Sequence, residues 1–274
     1  MLHFLQRLLI FITIFICGYS SLLNAQNEIK NNAFREGEKV SYEVSYNWGP
    51  IWVDAGVVTF SVTKENFLGK EAFHLQSTGK THLSYDLLFK VRDYYDSWID
   101  PATFRSFEFR RNIYEGGYSL LNTLRFDYPN NRIIANTKTN NNPLRTDTLK
   151  MMPVFFDMLS AVYYTRTLDF SNLKPDEKIP VWVVIDDAYY AISIKALGKE
   201  VTESKDGVRY RCIKFAAKMV EGTIFRGEED VLVWVTDDEN KVPVYIEAKI
   251  IVGTVKAYLK GTKGLKNPVT SMIK

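Results

Sequence analysis

The sequence predicts a mainly β protein, an antiparallel sandwich or incomplete barrel built from two similar halves, with one amphipathic helix near residues 153–166. Two patterns support this fold class. Apolar and charged residues alternate along runs such as Phe107 to Arg110 and Ile246 to Val252, as they do in strands with one buried face. Turn-forming residues such as Asp206-Gly207 separate the runs in a way that fits hairpins and meanders.

The first 25 residues have the pattern of a cleaved signal peptide. A short basic start at Arg7 is followed by an apolar run from Leu8 to Ile16, and small and polar residues lead to Ala25. The run is shorter than the roughly 20 apolar residues that a membrane span needs. We therefore expect a periplasmic or secreted protein that is cleaved after Ala25. A lipid anchor on Cys17 is not expected, because the preceding Ile16 is too large for that signal.

Residues 26–274 are expected to form one β-rich domain, in which halves 34–139 and 173–263 are joined by a linker that contains the helix. Four short matches at nearly constant spacing predict these halves. They pair Glu38-Lys39-Val40 with Glu177-Lys178-Ile179, the turn and strand Gly69 to Leu75 with Gly207 to Ile213, Trp98 with Trp234, and Gly116 with Gly253. The alternative is chance matching of common β-turn sequences.

Two runs, Val181 to Ile185 and Val231 to Val235, are apolar on both faces. Such a run predicts a central, fully buried strand or a strand whose second face lines a cavity. The helix is predicted from Pro153 to Arg166, because Pro153 suits a first helical position. Its apolar stripe at i, i+3 and i+4 spacing predicts core packing rather than a cofactor surface; it comprises Phe155, Met158, Leu159, Val162 and Tyr163.

Composition excludes several classes of function. The net charge is only +3, and the basic residues are interleaved with acidic ones, so nucleic-acid binding is not expected. No apolar stretch after the signal is long enough to cross a bilayer. Beyond the signal, Cys212 is the only cysteine, so stability must come from packing rather than from an intramolecular disulfide.

Common catalytic and metal-binding motifs are absent from the sequence. His74 and His82 lie ~26 Å apart on a continuous strand and would not share a metal. We therefore expect no metal, no cofactor and no catalytic residue. Paired carboxylates would permit polysaccharide hydrolysis, but turn-forming and solvated roles explain them with fewer assumptions. The acidic clusters are Asp93 with Asp96 and Asp100, Asp186-Asp187, Glu228 to Asp230, and Asp237 to Glu239.

The segment from Tyr46 to Gly56 is the most distinctive of the chain. Trp48 and Trp52 flank Gly49-Pro50, which predicts two strands joined by a tight bend. The candidate ligand-binding residues are Trp48, Trp52, Trp98 and Trp234. The alternative is that these large side chains seal the core.

Several segments together resemble the exported bacterial family known as domain of unknown function 3108. They are Phe34 to Tyr42, Tyr46 to Gly56, Asp96 to Pro101, and the helix segment Asp157-Met158-Leu159-Ser160-Ala161 with Tyr163-Tyr164. The resemblance covers nearly the whole chain after the signal. It implies a secreted or periplasmic β-rich protein without an established activity. At the level of fold alone, the chain is also similar to the half-barrel lipoprotein carriers of the periplasm.

Three functions follow from these observations. The first is an exported, non-enzymatic protein that binds an apolar or amphipathic envelope ligand such as a lipid, a lipoprotein segment or a glycolipid. The second is an envelope assembly or scaffold protein that acts through protein contacts. The third is a carboxylate-dependent polysaccharide hydrolase.

Overall fold

The described residues form one large antiparallel sheet that is not closed. The computed structural model describes residues 28–48, 51–170, 177–218, 230–249 and 253–273. The predicted fold class, mainly β and antiparallel, is therefore confirmed, and its strands form one open sheet. The predicted signal peptide, with its cleavage site after Ala25, lies outside the described residues.

The described part of the chain contains fifteen strands. The first half contributes β1 (Lys39–Trp48), β2 (Ile51–Phe67), β3 (Lys70–Thr81), β4 (Arg92–Ile99), β5 (Ser106–Glu115), β6 (Tyr118–Asp127), β7 (Arg132–Thr139) and β8 (Arg145–Lys150). The second contributes β9 (Lys178–Ile185), β10 (Ala188–Glu203), β11 (Arg209–Lys218), β12 (Asp230–Thr236), β13 (Pro243–Lys249), β14 (Thr254–Lys263) and β15 (Met272–Ile273). The predicted turns at 100–101, 129–131, 206–207 and 237–240 lie between strands, and the predicted turn at 66–69 includes the last two residues of β2.

The strands of the two halves follow one another in the sheet in the same order. It runs from β8 to β1 and then from β14 to β9, with β1 paired to β14 and β15 added to β11. The four sequence matches fall at equivalent places. The first match begins β1 and β9, the second spans the β2–β3 and β10–β11 turns with the following strands, and the two tryptophans lie in β4 and β12. Gly116 follows β5 and Gly253 precedes β14, both at positive φ.

The two ends of the sheet are linked by side chains and one short bridge. Arg145 in β8 forms an ion pair with Asp187 after β9. Phe156, which follows β8 in the chain, donates its N–H to the Trp182 carbonyl and accepts from the Val184 N–H, both at 2.9 Å. Among the described residues, no ladder of hydrogen bonds joins β8 to β9 directly.

The helices differ from the prediction. The predicted helix begins later, because Phe156 is held in an extended bridge to β9, so α2 covers only Met158–Thr165. A second short helix, α1 (Asp86–Phe89), was not predicted because four residues with no buried face carry no periodic signal. Within the described part of the chain, neither helix is long and apolar enough to cross a bilayer.

Two apolar clusters form the core of the part of the chain that the structure describes. The larger contains side chains of α2, such as Leu159 and Tyr163, with strand residues of both halves, such as Leu124 and Val183. The smaller includes Trp234 and Cys212. Burying one Leu or Phe side chain contributes about 1.5–3 kcal/mol, so the larger cluster supplies the main driving force that joins the halves.

Candidate ligand cavity

An apolar cavity of about 290 Å³ lies between α2 and the second half of the sheet. This volume is at the lower end of the roughly 300–1,000 Å³ that small-molecule sites occupy. Nearly every lining residue is apolar. From the helix segment the lining comprises Met158, Ala161, Val162, Thr165, Arg166 and Phe170, and from the sheet and its turns Val181, Val183, Ile185, Ile192, Ile194, Phe215, Ala217, Val231, Val233, Val235, Lys241, Pro243 and Ile246.

Strand periodicity explains the apolar wall. Alternate residues of a strand face the same side, so Val181, Val183 and Ile185 of β9 line the cavity, while Trp182 between them is 38% exposed. In β12 the alternate valines Val231 to Val235 line it in the same way. The prediction that both runs are central strands is wrong for β9, which is the last strand of the sheet. The cavity-lining alternative is observed for both.

Asp157 fixes the position of α2 over the cavity. Its carboxylate caps the helix by accepting from the N–H groups of Leu159 and Ser160 at 2.8 and 2.9 Å. The same carboxylate accepts hydrogen bonds from Ser97 in β4 and Ser106 in β5. Burial raises its pKa above the usual value for an aspartate, although these hydrogen bonds oppose the rise. The helix is therefore anchored to the first half while it covers the second.

Arg166 closes the other end of α2. Its guanidinium binds both carboxylate oxygens of Glu38, at 2.5 and 3.0 Å, and donates to the carbonyls of Asn240 and Ala33. Both side chains of the ion pair are buried. Removing one partner of such a pair costs about 3–5 kcal/mol, because the other charge is left uncompensated. Arg166 is thus a structural cation with its charge already matched.

Lys241 is the second cation that lines the cavity. It follows the turn after β12 and adopts a positive φ of 45°. Within the described part of the chain its ammonium has no ion-pair partner. A ligand with an apolar tail and a polar or anionic head would find both kinds of contact here.

The predicted tryptophan sites lie elsewhere. Trp98 and Trp234 are each 7% exposed, and Trp52 is 44% exposed with the Lys256 ammonium 4.3 Å from its ring centroid. None of these three lines the cavity. The backbone of Trp48 pairs with Ile51 across the predicted bend, while Gly49 and Pro50 lie outside the described residues.

Trp98 and Trp234 have matching surroundings in the two halves. Each indole N–H donates to a glutamate, Glu65 for Trp98 and Glu200 for Trp234. The cross-strand neighbour of Trp98 is His74, which stacks on the ring at 4.4 Å. The cross-strand neighbour of Trp234 is Lys214, whose ammonium lies 4.4 Å from the ring centroid. Neighbouring side chains thus cover both rings, which argues for a structural role.

The two histidines are partnered by carboxylates. His74 lies 2.8 Å from Asp96, and this hydrogen bond holds the pKa of Asp96 below its usual range. His82 lies 2.5 Å from Glu43, which also pairs with Lys260. Among the described residues, no group of three or more His, Cys, Asp or Glu side chains could hold a metal ion.

Most predicted acidic clusters are used in local contacts. Asp186 and Asp187 pair with Arg111 and Arg145, Asp237 pairs with Lys199, Asp238 accepts from Ser271, and Asp100 accepts from the turn that follows it. The side chains of Glu228 to Asp230 lie outside the described residues.

Asp93 differs from these groups. Burial, together with the adjacent Glu115 carboxylate, raises its pKa to about 7. Asp93 is only 8% exposed and does not line the cavity. Sequence reasoning missed this carboxyl pair, because no pattern along the chain links residue 93 to residue 115. It also missed Arg166 and Lys241 for the same reason, whereas Asp157 could have been recognised as a capping residue.

Comparison with known proteins agrees with the fold. The chain is similar to a crystal structure of a β-barrel-like protein of domain of unknown function DUF1849 from Brucella abortus, with a TM-score of 0.55 and 8% identity. The match covers 84% of this chain and 99% of that one, and at this identity it shows the fold alone. No curated protein matches the chain. A family model described as protein of unknown function (DUF3108) matches residues 41–260. Because this match spans most of the sequence, the chain belongs to the DUF3108 family.

Proposed function

We propose that this protein is an exported, non-enzymatic binding protein that holds an apolar or amphipathic envelope ligand in the cavity beneath α2. The observation that carries the proposal is the composition of the cavity wall. A space of about 290 Å³ lined by side chains from five strands and one helix is nearly free of polar groups. Such a wall favours an acyl chain or a similar apolar group over a sugar or a nucleotide, which need several hydrogen-bonding partners.

The position of the charged groups supports an amphipathic ligand. Arg166 is matched by Glu38, so its charge does not demand an anion from the ligand. Lys241 lies in the lining without a matching carboxylate in the described part of the chain. A lipid, a lipoprotein acyl group or a glycolipid can place its tail among the valines and its head near Lys241.

Native mass spectrometry with organic extraction tests the proposal directly. The protein is recovered from the periplasm of a Gram-negative host, and its N-terminus is read in the same experiment. We expect a start at Gln26 and a co-purifying lipid. A protein retained in the cytoplasm with its leader intact would contradict the proposed export. A partner recovered by crosslinking, without extractable lipid, would favour the assembly function instead.

A matched pair of variants locates the ligand. Ala217→Phe places a large ring in the cavity, because Ala217 lines it between Ile194 and Val231 on the neighbouring strands. Ala191→Phe makes the same change at an exposed position of β10. With a dansyl-labelled undecanoic acid as the probe, we expect Ala217→Phe to weaken binding about tenfold or more, since the occupied volume is lost. Equal binding by both variants would place the ligand outside the cavity.

The hydrolase alternative has one supporting observation, the raised pKa of Asp93 beside Glu115. A catalytic pair must flank a bound sugar, with an approximate carboxyl separation of 5–9.5 Å that leaves room for the substrate or for water. Asp93 and Glu115 instead touch one another, and Asp93 is buried. The hydrolase function would nevertheless be supported if the protein hydrolysed a polysaccharide and if Asp93→Asn abolished this activity without unfolding the protein.

A further inference from the structure

One rim of the sheet exposes a compact set of large apolar side chains. We call Leu83, Leu87, Leu88 and Phe89 the rim patch. Their exposed fractions are 82%, 95%, 67% and 55%, and α1 has no buried residue. Single exposed leucines are common in proteins, whereas four within seven residues on one rim indicate a contact surface.

The rim patch is held in place by its neighbours. The Thr81 hydroxyl donates to Asp86 at 2.7 Å, and Arg92 forms an ion pair with the same carboxylate. Phe89 lies against Gly116, where there is no space for a Cβ atom. The Gly116 N–H donates to the Lys90 carbonyl at 2.9 Å. The connection from β3 to β4 is therefore fixed, and the leucines do not fold back onto the sheet.

Tyrosines and lysines surround the rim patch. The Lys80 ammonium lies 5.5 Å from the Tyr94 ring centroid, and the Lys90 ammonium lies 5.8 Å from that of Tyr114. Both lysines are exposed and both tyrosines are more than one third exposed. The negative charge of Asp86 is already matched by Arg92. The belt around the apolar centre therefore contains tyrosines and lysines.

Other exposed apolar residues lie at the same end of the sheet. The Ala55 carbonyl accepts from the His82 N–H, which places the start of β2 beside the rim patch. Ile51 and Trp52 at that start are 64% and 44% exposed. The apolar character thus continues beyond α1 along this rim.

We propose that the rim patch docks the protein on an anionic lipid surface. An apolar centre that enters the interfacial region, with tyrosines and lysines at headgroup level, is the chemistry of a peripheral membrane contact. Lys80 and Lys90 supply attraction to negatively charged headgroups. This contact is independent of the cavity, because none of its residues lines it.

Vesicle co-sedimentation tests the docking surface. The full protein is mixed with phosphatidylcholine vesicles with and without phosphatidylglycerol. Leu87→Gln, alone and combined with Leu88→Gln, is compared with Leu68→Gln. Leu68 is 86% exposed but lies in the β2–β3 turn at the opposite end of the sheet. All proteins carry the same N-terminus, so any contribution from a leader is the same in each. Melting temperatures confirm that the variants fold.

We expect Leu87→Gln combined with Leu88→Gln to lower the vesicle partition coefficient about tenfold or more, because apolar area that enters the bilayer is lost. Leu68→Gln should bind as the unmodified protein does. Lys80→Gln with Lys90→Gln should remove the dependence on phosphatidylglycerol. Equal binding by the Leu87 and Leu68 variants would overturn the proposal. Vesicle-independent dimerisation that is lost in the Leu87 variant would also overturn it, since the rim patch would then contact a second copy.

Discussion

At the scale of single residues, some buried ionisable side chains have a partner of opposite charge and others do not. Arg166 and Glu38 neutralise one another within the core. Within the described part of the chain no cation contacts Asp93, and the nearby Glu115 disfavours its ionisation. The Tyr114 N–H donates to the Asp93 carboxyl at 3.3 Å and only partly compensates. Asp93 should therefore carry a proton in the folded protein over part of the neutral range.

The raised pKa of Asp93 predicts a pH-dependent stability. In the unfolded chain the value returns to about 3.8, so the folded state binds this proton more tightly. Binding of this proton therefore stabilises the folded state fully below about pH 4. The stabilisation is lost as the pH rises through about 7. We expect Asp93→Asn to melt about 2 °C or more above the unmodified protein at about pH 8, with a smaller difference at about pH 5.

The control for this measurement is Asp96→Asn. The hydrogen bond from His74 holds the pKa of Asp96 below its usual value, so its contribution has the opposite sign. Asp96→Asn should therefore lower the melting temperature near neutral pH and have little effect in acid. Parallel pH profiles for Asp93→Asn and the unmodified protein would show that Asp93 titrates normally.

At the scale of elements, α2 illustrates how tertiary contacts set the bounds of a helix. The apolar stripe that begins at Phe155 predicts an earlier start, but the backbone of Phe156 is used to bridge β9. Asp157 then caps the helix and ties it to β4 and β5. The short helix α1 could not be predicted from an apolar stripe, because none of its side chains is buried.

Removal of the α2 cap should destabilise the whole protein. We expect Asp157→Ala to lower the free energy of unfolding by about 2–4 kcal/mol in urea titrations, since the cap is lost and two buried serine hydroxyls lose their acceptor. Asp157→Asn keeps an acceptor oxygen and should cost less. Asp127→Ala is the matched control, because Asp127 caps an exposed turn at Asn130 and should cost about 1 kcal/mol or less. Equal losses at residues 157 and 127 would refute the anchoring role.

At the scale of the whole molecule, the two halves share one sheet and one core. Strand β1 pairs with β14 along eight residue pairs, and the larger apolar cluster contains side chains from both halves. Trp98 in the first half and Trp234 in the second half have similar surroundings. These tryptophans can therefore report separately on each half.

We expect the halves to unfold together. Urea transitions followed by far-UV circular dichroism and by tryptophan fluorescence should coincide, because neither half can keep its core when the other unfolds. The difference between unmodified protein and Trp98→Phe reports on the first half, and that for Trp234→Phe on the second. Two separated midpoints would show that the halves are independent domains.

Local patterns in the sequence determine much of this protein. The two-residue period of apolar side chains and the turn residues between runs are local signals, so the β class, the turns and one central helix follow from them. The valine runs of β9 and β12 likewise predict one apolar wall of a cavity.

Only the tertiary structure determines which strands and which side chains face each other. The location of β9 at the end of the sheet depends on pairing across the whole chain, as do the partnership of Arg166 with Glu38 and that of Asp93 with Glu115. Pairing between residues far apart depends on side-chain fit over the complete fold, which no local pattern contains. The cavity beneath α2 and the rim patch on α1 arise in the same way, because burial and exposure are properties of the assembled sheet.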